Sequence, residues 1–236
     1  MKLYREILHI ALPAMIENFL QFLMGMVDSY LVAHLGLVAL SGVAVANNLI
    51  TIFQAIFLAL GSAISVLLAS LVDRQDSEKL ANQAVEALKL TLLISLVLGM
   101  FSLLAGPSFL LFLGAEKTVA NAGGIYLALV GGHIVFLGLM TSLGAILRAL
   151  GKSQLPMYVS LLSNLLNALF SALGVFVFQA GILGVAVGTI LARIIACFIL
   201  WKQLPFKLAK PSWTLDRKLI GLAMPAAAER LMMRAG

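Results

Sequence analysis

Two carboxylates stand inside the first apolar segment of this sequence, at Glu17 and Asp28. An ionised carboxylate in the middle of a bilayer costs about 2.5 to 3.5 kcal/mol on insertion scales, so its presence requires an explanation. Glu17, Gln21 and Asp28 are spaced i, i+4 and i+11, which places them on one face of an α-helix. A carboxylate there can bind and release a proton, or bind Na⁺ together with neutral oxygens. The residues alone leave both choices open.

Two further apolar segments carry polar residues at helical spacing. The second segment has a stripe made of Asn47, Thr51, Gln54, Ser62 and Ser65, and the fifth has one made of Ser160, Asn164, Asn167 and Ser171. Polar groups cannot face lipid unsatisfied, so these stripes either join helices through hydrogen bonds or line a water-accessible cavity. We interpret the hydroxyls as helix contacts. We expect a substrate cavity lined by Glu17, Gln21, Asn47, Thr51, Gln54 and Asn164.

Three other features of the apolar segments could serve transport. Pro13 removes a backbone donor within the first segment, which predicts either a hinge or a purely structural kink. Arg193 lies deep in the sixth segment, where it either extends toward the membrane surface or forms an ion pair with Glu17. Glu86 and Lys89 are predicted to form an interfacial ion pair.

The sequence contains no recognisable metal-site or enzyme motif. His9, His34 and His133 lack metal-ligand spacing, and only His133 is a candidate to face the cavity. The single cysteine, Cys197, lies in an apolar segment and is interpreted as a packed or lipid-facing residue. No HExxH or GxSxG motif occurs. We therefore predict no enzyme, no metal site and no cofactor beyond a coupling ion, H⁺ or Na⁺.

The elements that must position these residues are membrane helices. Hydrophobic residues make up 62% of the chain and charged residues 11%, whereas soluble domains carry about 25% charged residues. The mean hydropathy is +1.07. Continuous apolar runs exclude the alternating pattern of a barrel and predict an all-α polytopic membrane protein. The net charge of +6 comes from residues between the apolar segments, so no nucleic-acid partner is predicted.

Six transmembrane helices are predicted, at 7–33, 41–72, 80–105, 120–149, 155–178 and 182–202. They form a six-helix lobe over 1–203, followed by a cytoplasmic linker over 204–216 and the start of a second lobe over 217–236. Most Lys and Arg residues between the segments fall on one side, with Lys117 on the other, which predicts a cytoplasmic N-terminus. The expected location is a bacterial-type plasma membrane.

A short internal repeat relates the two ends of the chain. HIALPAMIEN contains Pro13 and Glu17, and GLAMPAAAER contains Pro225 and Glu229, with the same spacing of four residues in each. Many secondary transporters are built from repeats of several spans. We therefore expect the first six helices to form one repeat and the chain to stop early in the next.

The segments ALPAMIENFLQFLMGMVDSYLVAHLG, RALGKSQLPMYVSLLSNLLNALFSALGVFVF and GILGVAVGTILAR resemble those of multidrug and toxic compound extrusion (MATE) transporters. The resemblance covers essentially the whole chain. It implies one lobe of a two-lobe, V-shaped transporter that exports organic cations and other amphiphiles in exchange for Na⁺ or H⁺. The chain resembles the first lobe and the start of the seventh helix.

The resemblance also implies a cation site in this lobe. Pro13 and Asp28 match the proline and the acidic residue of the family's first helix, Asn167 matches an asparagine of the fifth, and Thr189 a threonine of the sixth. Ser171 departs from the pattern, because many relatives have a second acidic residue there. With Asp28 as the lone carboxylate of the cluster, we favour coupling to H⁺ without excluding Na⁺.

The predicted function is therefore drug–cation antiport by alternating access, with Asp28 as the coupling carboxylate. The expected partners are the lipid bilayer, small drug-like substrates and a missing C-terminal lobe, without which we expect no drug transport. A flippase for lipids or lipid-linked substrates, or a non-transporting membrane scaffold, is the alternative. Either alternative would tolerate the loss of the Asp28 charge.

Overall fold

The computed structural model describes residues 26–72 and 77–205, together with the separate helical positions Phe19, Leu23, Gly221, Pro225, Ala228, Glu229 and Met232. The predictions for Pro13, Glu17, Gln21 and His9 lie outside the described residues. The same holds for most of the 204–216 linker and of the 217–236 segment.

Every regular element in the described ranges is helical. The first helix, α1, is described continuously over 26–33. The elements that follow are α2 (Leu37–Val72), α3 (Ser77–Phe112), α4 (Lys117–Tyr126), a π-helical turn (Leu127–Gly131), α5 (Val135–Ala149), α6 (Gln154–Ala172), a second π-helical turn (Leu173–Val177) and α7 (Gly181–Lys202). This order confirms the predicted all-α fold.

Four of the described helices are long and apolar enough to cross a bilayer. They are Leu37–Val72, Glu78–Phe112, Gln154–Val177 and Gly181–Lys202. The helices Lys117–Gly131 and Val135–Ala149 pass the same test of length and hydropathy only when taken together, with a bend of 45° between them. The chain is therefore an integral membrane protein with several helical spans.

The fourth predicted span, 120–149, is not the single straight helix that its hydropathy suggested. The helix is interrupted after the π-helical turn Leu127–Gly131. In a π-helical turn the backbone hydrogen bonds join residues five apart instead of four, which disturbs the regular α-helical pattern. The bend also lies beside α3, where a Cβ on Gly99 would stand 3.0 Å from the Gly132 carbonyl oxygen. The two backbones approach closely at the bend.

The α3 helix is longer than its predicted range of 80–105, because it continues through Pro107 to Phe112. The proline ring packs against α4, where a Cβ on Gly124 would lie 2.8 Å from Pro107 Cγ. At the start of α2 the chain turns through Gly36, whose φ of +102° is a backbone conformation that glycine adopts without strain.

Two apolar clusters fill the helix bundle. The first surrounds Phe53, Phe57 and Leu127, and the second surrounds Leu60, Ile146 and Leu200. Lipid tails are as apolar as these side chains, so the bundle depends on close packing more than on exclusion of water.

Glycine pairs bring two helix pairs into backbone contact. A Cβ on Gly42 of α2 would lie 2.6 Å from the Gly123 nitrogen of α4. A Cβ on Gly174, in the second π-helical turn, would lie 2.6 Å from Gly184 Cα of α7. Small residues at membrane-helix crossings permit this approach. The two contacts fix the helices that carry the polar residues described next.

Candidate functional site

Side chains of α6 and α7 form a polar cluster within the bundle. Asn167 Nδ2 donates a hydrogen bond to Thr189 Oγ1 at 3.2 Å. Ser171 Oγ donates to Asn167 Oδ1 at 3.0 Å, and Thr189 Oγ1 donates to the Val185 carbonyl at 3.0 Å. Ser171 and Thr189 are both buried. The helices can meet here because Gly188 has no side chain, and a Cβ on it would lie 2.7 Å from the Ser171 nitrogen.

A small polar cavity adjoins this cluster. Its volume is about 30 Å³, and its lining includes Asp28 of α1, Asn47 of α2, Tyr126 of α4 and Val185 of α7. One water molecule occupies about that share of liquid volume. Val185 belongs to both features, since its carbonyl accepts the Thr189 hydrogen bond. The coupling residue predicted from the sequence therefore lies next to the α6–α7 cluster.

Tyr126 links the cavity to the cluster. It is buried, and its hydroxyl lies close enough to the side chains of Asn47 and Thr189 to hydrogen-bond with them. It is the last residue of α4, immediately before the first π-helical turn. The sequence analysis did not select this residue. The only local signal was the preceding Gly123-Gly124 pair, which lets α4 approach its neighbours.

Asp28 and Arg193 are the charged groups of this region in the described ranges. Asp28 Oδ1 and Arg193 Nη1 are buried, and neither atom has a hydrogen-bond partner among the described residues. The two side chains interact electrostatically when Asp28 is ionised. Arg193 follows Thr189 by one helical turn on α7.

The sequence analysis gave two predictions for Arg193, extension toward the membrane surface or an ion pair with Glu17, and the structure bears on the first. Burial of Nη1 contradicts simple extension of the guanidinium to the membrane surface. The alternative partner, Glu17, lies outside the described residues. Among the described groups, the acidic side chain that acts on Arg193 is Asp28.

The remaining cavity residues predicted from the sequence lie elsewhere on their helices. Thr51 and Gln54 are half-buried on α2, one and two turns beyond Asn47, and Asn164 is half-buried on α6. None of these three lines the Asp28 cavity. Their role in a substrate cavity stays a prediction.

Other singled-out residues make local contacts. Lys89 Nζ lies 2.6 Å from Glu86 Oε1, which confirms the predicted ion pair. His133 is exposed and its Nδ1 lies 2.8 Å from the Leu129 carbonyl oxygen, so it does not face the Asp28 cavity. Cys197 is buried, and its thiol donates to the Phe136 carbonyl at 3.0 Å. In the described part of the chain, no group of three His, Cys, Asp or Glu side chains could hold a metal ion.

Residues 13–173 match the family model described as MatE. The chain is 27% identical over 244 residues to the probable multidrug resistance protein NorM of Thermotoga maritima, covering 98% of this chain and 53% of that protein. It is 25% identical over 240 residues to the probable multidrug resistance protein YpnP of Bacillus subtilis, covering 98% and 54%. The chain thus spans about half the length of these curated relatives.

Solved structures share the fold. A crystal structure of MATE in the bent conformation superposes with a TM-score of 0.87 at 20% identity, covering 97% of this chain and 53% of that one. A MOP superfamily transporter from Pyrococcus furiosus, reported with a binding pocket of reverse polarity, gives a TM-score of 0.84 at 20% identity, with 97% and 52% covered. At these identities the likeness concerns the fold alone.

Proposed function

Because this chain belongs to the MatE family, we propose that it is one lobe of a secondary multidrug efflux antiporter. In this proposal the transporter exports amphiphilic, often cationic, compounds in exchange for a cation. The names of the Thermotoga maritima and Bacillus subtilis relatives support the drug class.

The observation that carries the proposal is the position of Asp28. It is a carboxylate in the first predicted membrane helix, and it lines a small cavity with Asn47 and Tyr126, beside the Asn167–Thr189 hydrogen bond. A purely structural helix contact needs no carboxylate, because amide and hydroxyl groups already join these helices. A group that gains and loses charge in a restricted space is suited to coupling.

We propose H⁺ as the coupling ion, with Na⁺ as the alternative. Ser171 contributes a neutral hydroxyl to the cluster, so among the residues that the structure describes there Asp28 alone supplies a carboxylate. A proton needs one carboxylate, whereas a hard metal cation needs several oxygen ligands. Asn167, Ser171 and Thr189 would then orient the groups around Asp28.

The mechanism follows from charge and linkage. Protonation of Asp28 removes the negative charge that interacts with Arg193, and it converts an acceptor oxygen into a hydroxyl donor beside Asn47 and Tyr126. The protonated and ionised forms thereby favour different helix arrangements. A substrate that binds better to one arrangement shifts the proton equilibrium by the same factor, which makes the two exchange.

We further propose that transport requires a second six-helix lobe and that the N-terminus is cytoplasmic. The chain spans about half the length of its relatives. A substrate cavity between two lobes cannot form from one of them unless two copies associate. On this proposal, the chain by itself does not export drugs.

Proteoliposomes test both proposals. Ethidium export in Na⁺-free buffer under an imposed pH gradient should appear when the chain is combined with the second half of the Thermotoga maritima relative, and not with either half alone. Export by the chain alone would contradict the two-lobe proposal. Export that starts only when a Na⁺ gradient is added would contradict proton coupling.

Asp28→Asn should abolish coupled export without preventing membrane insertion, because the amide is isosteric and cannot titrate. Asn47→Ala is a control on the same cavity that retains the carboxylate and should keep part of the activity. Full export by Asp28→Asn would favour a flippase or scaffold instead. No export by any combination, with both halves inserted, would contradict antiport.

A further inference from the structure

The mechanism of antiport outlined above uses the charge of Arg193 only as something that ionised Asp28 interacts with, and it gives the residue no role of its own. The residue follows Thr189 by one turn on α7, and Thr189 is hydrogen-bonded to Asn167. A buried guanidinium nitrogen without a hydrogen-bond partner is unfavourable unless a nearby charge compensates it. Its Nη1 has no hydrogen-bond partner in the described ranges, while its charge acts on Asp28.

The charges of the described site sum to zero when Asp28 is ionised. Asp28 contributes one negative charge and Arg193 one positive charge, and they interact although no direct ion pair joins them. Asn47, Tyr126 and Thr189 complete the site as neutral groups. Addition of a metal cation would leave one net positive charge in a buried region, where uncompensated charge is costly.

The neutral oxygens of the site already accept hydrogen bonds from neighbouring hydroxyl groups. Asn167 Oδ1 accepts from the Ser171 hydroxyl, and the Val185 carbonyl accepts from Thr189. A cation bound by these oxygens would compete with the hydrogen bonds that join α6 to α7. A hard cation prefers several oxygen ligands that are free to coordinate it. The donor set does not fit Na⁺ well.

We infer that Arg193 is the fixed counter-cation of Asp28 and takes the electrostatic place that a bound Na⁺ would otherwise fill. Arg193 is then a positioning residue that determines the ion specificity of the site. This inference deepens the proposed antiport, on which its functional meaning rests. The following experiment measures ion binding without substrate or transport, so its outcome is separate from that of the export assay.

The test is the thermal unfolding midpoint of the purified protein in detergent, in NaCl and in choline chloride of equal ionic strength. The unaltered chain should unfold at the same temperature in both salts. Arg193→Met removes the counter-charge and keeps a long apolar side chain. Loss of a nearby unit charge changes the dissociation constant of a cation by about tenfold or more. The midpoint should then rise by about 3 °C in Na⁺ at ten times the dissociation constant.

Three further variants separate a counter-charge from a structural role. Arg193→Lys retains the charge and should show no Na⁺-specific shift. Arg148→Met removes an exposed charge at the end of α5 and should also show none. The double variant Asp28→Asn/Arg193→Met lacks the carboxylate and should lose the shift gained by Arg193→Met.

Three outcomes would overturn the inference. One is a Na⁺-specific shift in the unaltered chain, and a second is its absence from Arg193→Met. The third is a shift that persists in the double variant, because another acidic residue such as Glu17 would then bind the ion. If Arg193→Met does not fold, Arg193→Gln gives the same decision, since it also removes the charge.

Discussion

The side chain of Asn167 on α6 donates a hydrogen bond to the Thr189 hydroxyl on α7, with 3.2 Å between Nδ2 and Oγ1. Thr189 Oγ1 in turn donates a hydrogen bond to the Val185 carbonyl at 3.0 Å, and Val185 lines the Asp28 cavity. The amide of one helix is thereby connected to the wall of a cavity reached by three other helices. We therefore expect a substitution at the Asn167–Thr189 hydrogen bond to affect the Asp28 cavity, and a substitution in the cavity to affect the hydrogen bond.

The Asn167–Thr189 bond should contribute measurably to stability. Asn167→Ala and Thr189→Val each remove one partner, and the double variant should lose less than the sum of the two. Interhelical hydrogen bonds in membranes couple by about 0.6 kcal/mol on average and up to about 1.7 kcal/mol. Free energies of unfolding in mixed micelles measure this coupling. Thr189→Ser retains the hydroxyl and should keep it, whereas additive losses would contradict the bond.

Loss of the Tyr126 hydroxyl should impair coupling more than folding. Tyr126→Phe keeps the buried ring and removes the group that approaches Asn47 and Thr189. We expect a loss of about 1 kcal/mol of stability, typical of one hydrogen bond, with at least a tenfold slower export in the two-lobe assay. Tyr158→Phe, an exposed position on α6, is the matched control. Unchanged export by Tyr126→Phe would remove Tyr126 from the site.

Sequence reasoning located one part of this site and missed another. Polar residues at helical spacing, together with the family resemblance, selected Asp28, Asn167 and Thr189, and the structure brings all three into one region. The sequence analysis did not select Tyr126, because an aromatic residue in an apolar segment usually packs against other apolar side chains. Its importance depends on which helices meet α4, and that is tertiary information.

The pairing of Arg193 with Glu17 stays a prediction, because Glu17 lies outside the described residues. The sequence analysis compared Arg193 with Glu17 because both were expected at similar depth in the membrane. Depth along a helix axis follows from residue number, but the direction of a side chain around the axis depends on packing. In the described residues, the electrostatic partner is Asp28.

The Gly174–Gly184 contact should tolerate no side chain. A Cβ on Gly184 would stand 2.7 Å from the carbonyl carbon of Gly174, which is shorter than van der Waals contact. Overpacking of this kind costs about 1 to 3 kcal/mol. Gly184→Ala should therefore lower the thermal unfolding midpoint by several degrees.

Gly61 provides the matched control for that substitution. It is buried in α2, and a Cβ there would find its nearest neighbour at 3.5 Å, an ordinary contact. Alanine also favours helix over glycine by about 1 kcal/mol. Gly61→Ala should leave the midpoint unchanged or raise it. Equal effects of the two substitutions would contradict the assigned close approach.

The orientation in the membrane can be tested with cysteine labelling. Lys117 and Lys152 are exposed at helix ends that the positive-inside rule assigns to opposite sides. Cys197 is buried, and Cys197→Ser gives a background without a native thiol. In intact cells, an impermeant maleimide should label Lys117→Cys, and label Lys152→Cys only after permeabilisation. The reverse pattern would contradict the cytoplasmic N-terminus.

The bend between α4 and α5 could not be predicted from the hydropathy of the sequence. The segment 120–149 is mostly apolar and contains no proline, so it predicts one continuous span. The bend of 45° arises next to a π-helical turn and closely packed glycines, features that change backbone geometry without changing hydropathy. Gly131, Gly132 and the following His133 were the only local indications.

The contact of Gly174 with Gly184 has a consequence for motion. Two backbones that touch at one crossing, and are tied again at Asn167 and Thr189, cannot slide along one another without breaking both attachments. We therefore expect α6 and α7 to move together as one rigid unit. For the alternating access that we propose, movement at the Asp28 cavity would then come from the helices on its other side. The bent α4–α5 pair is the candidate for this movement, because Tyr126 lines the cavity and immediately precedes the π-helical turn.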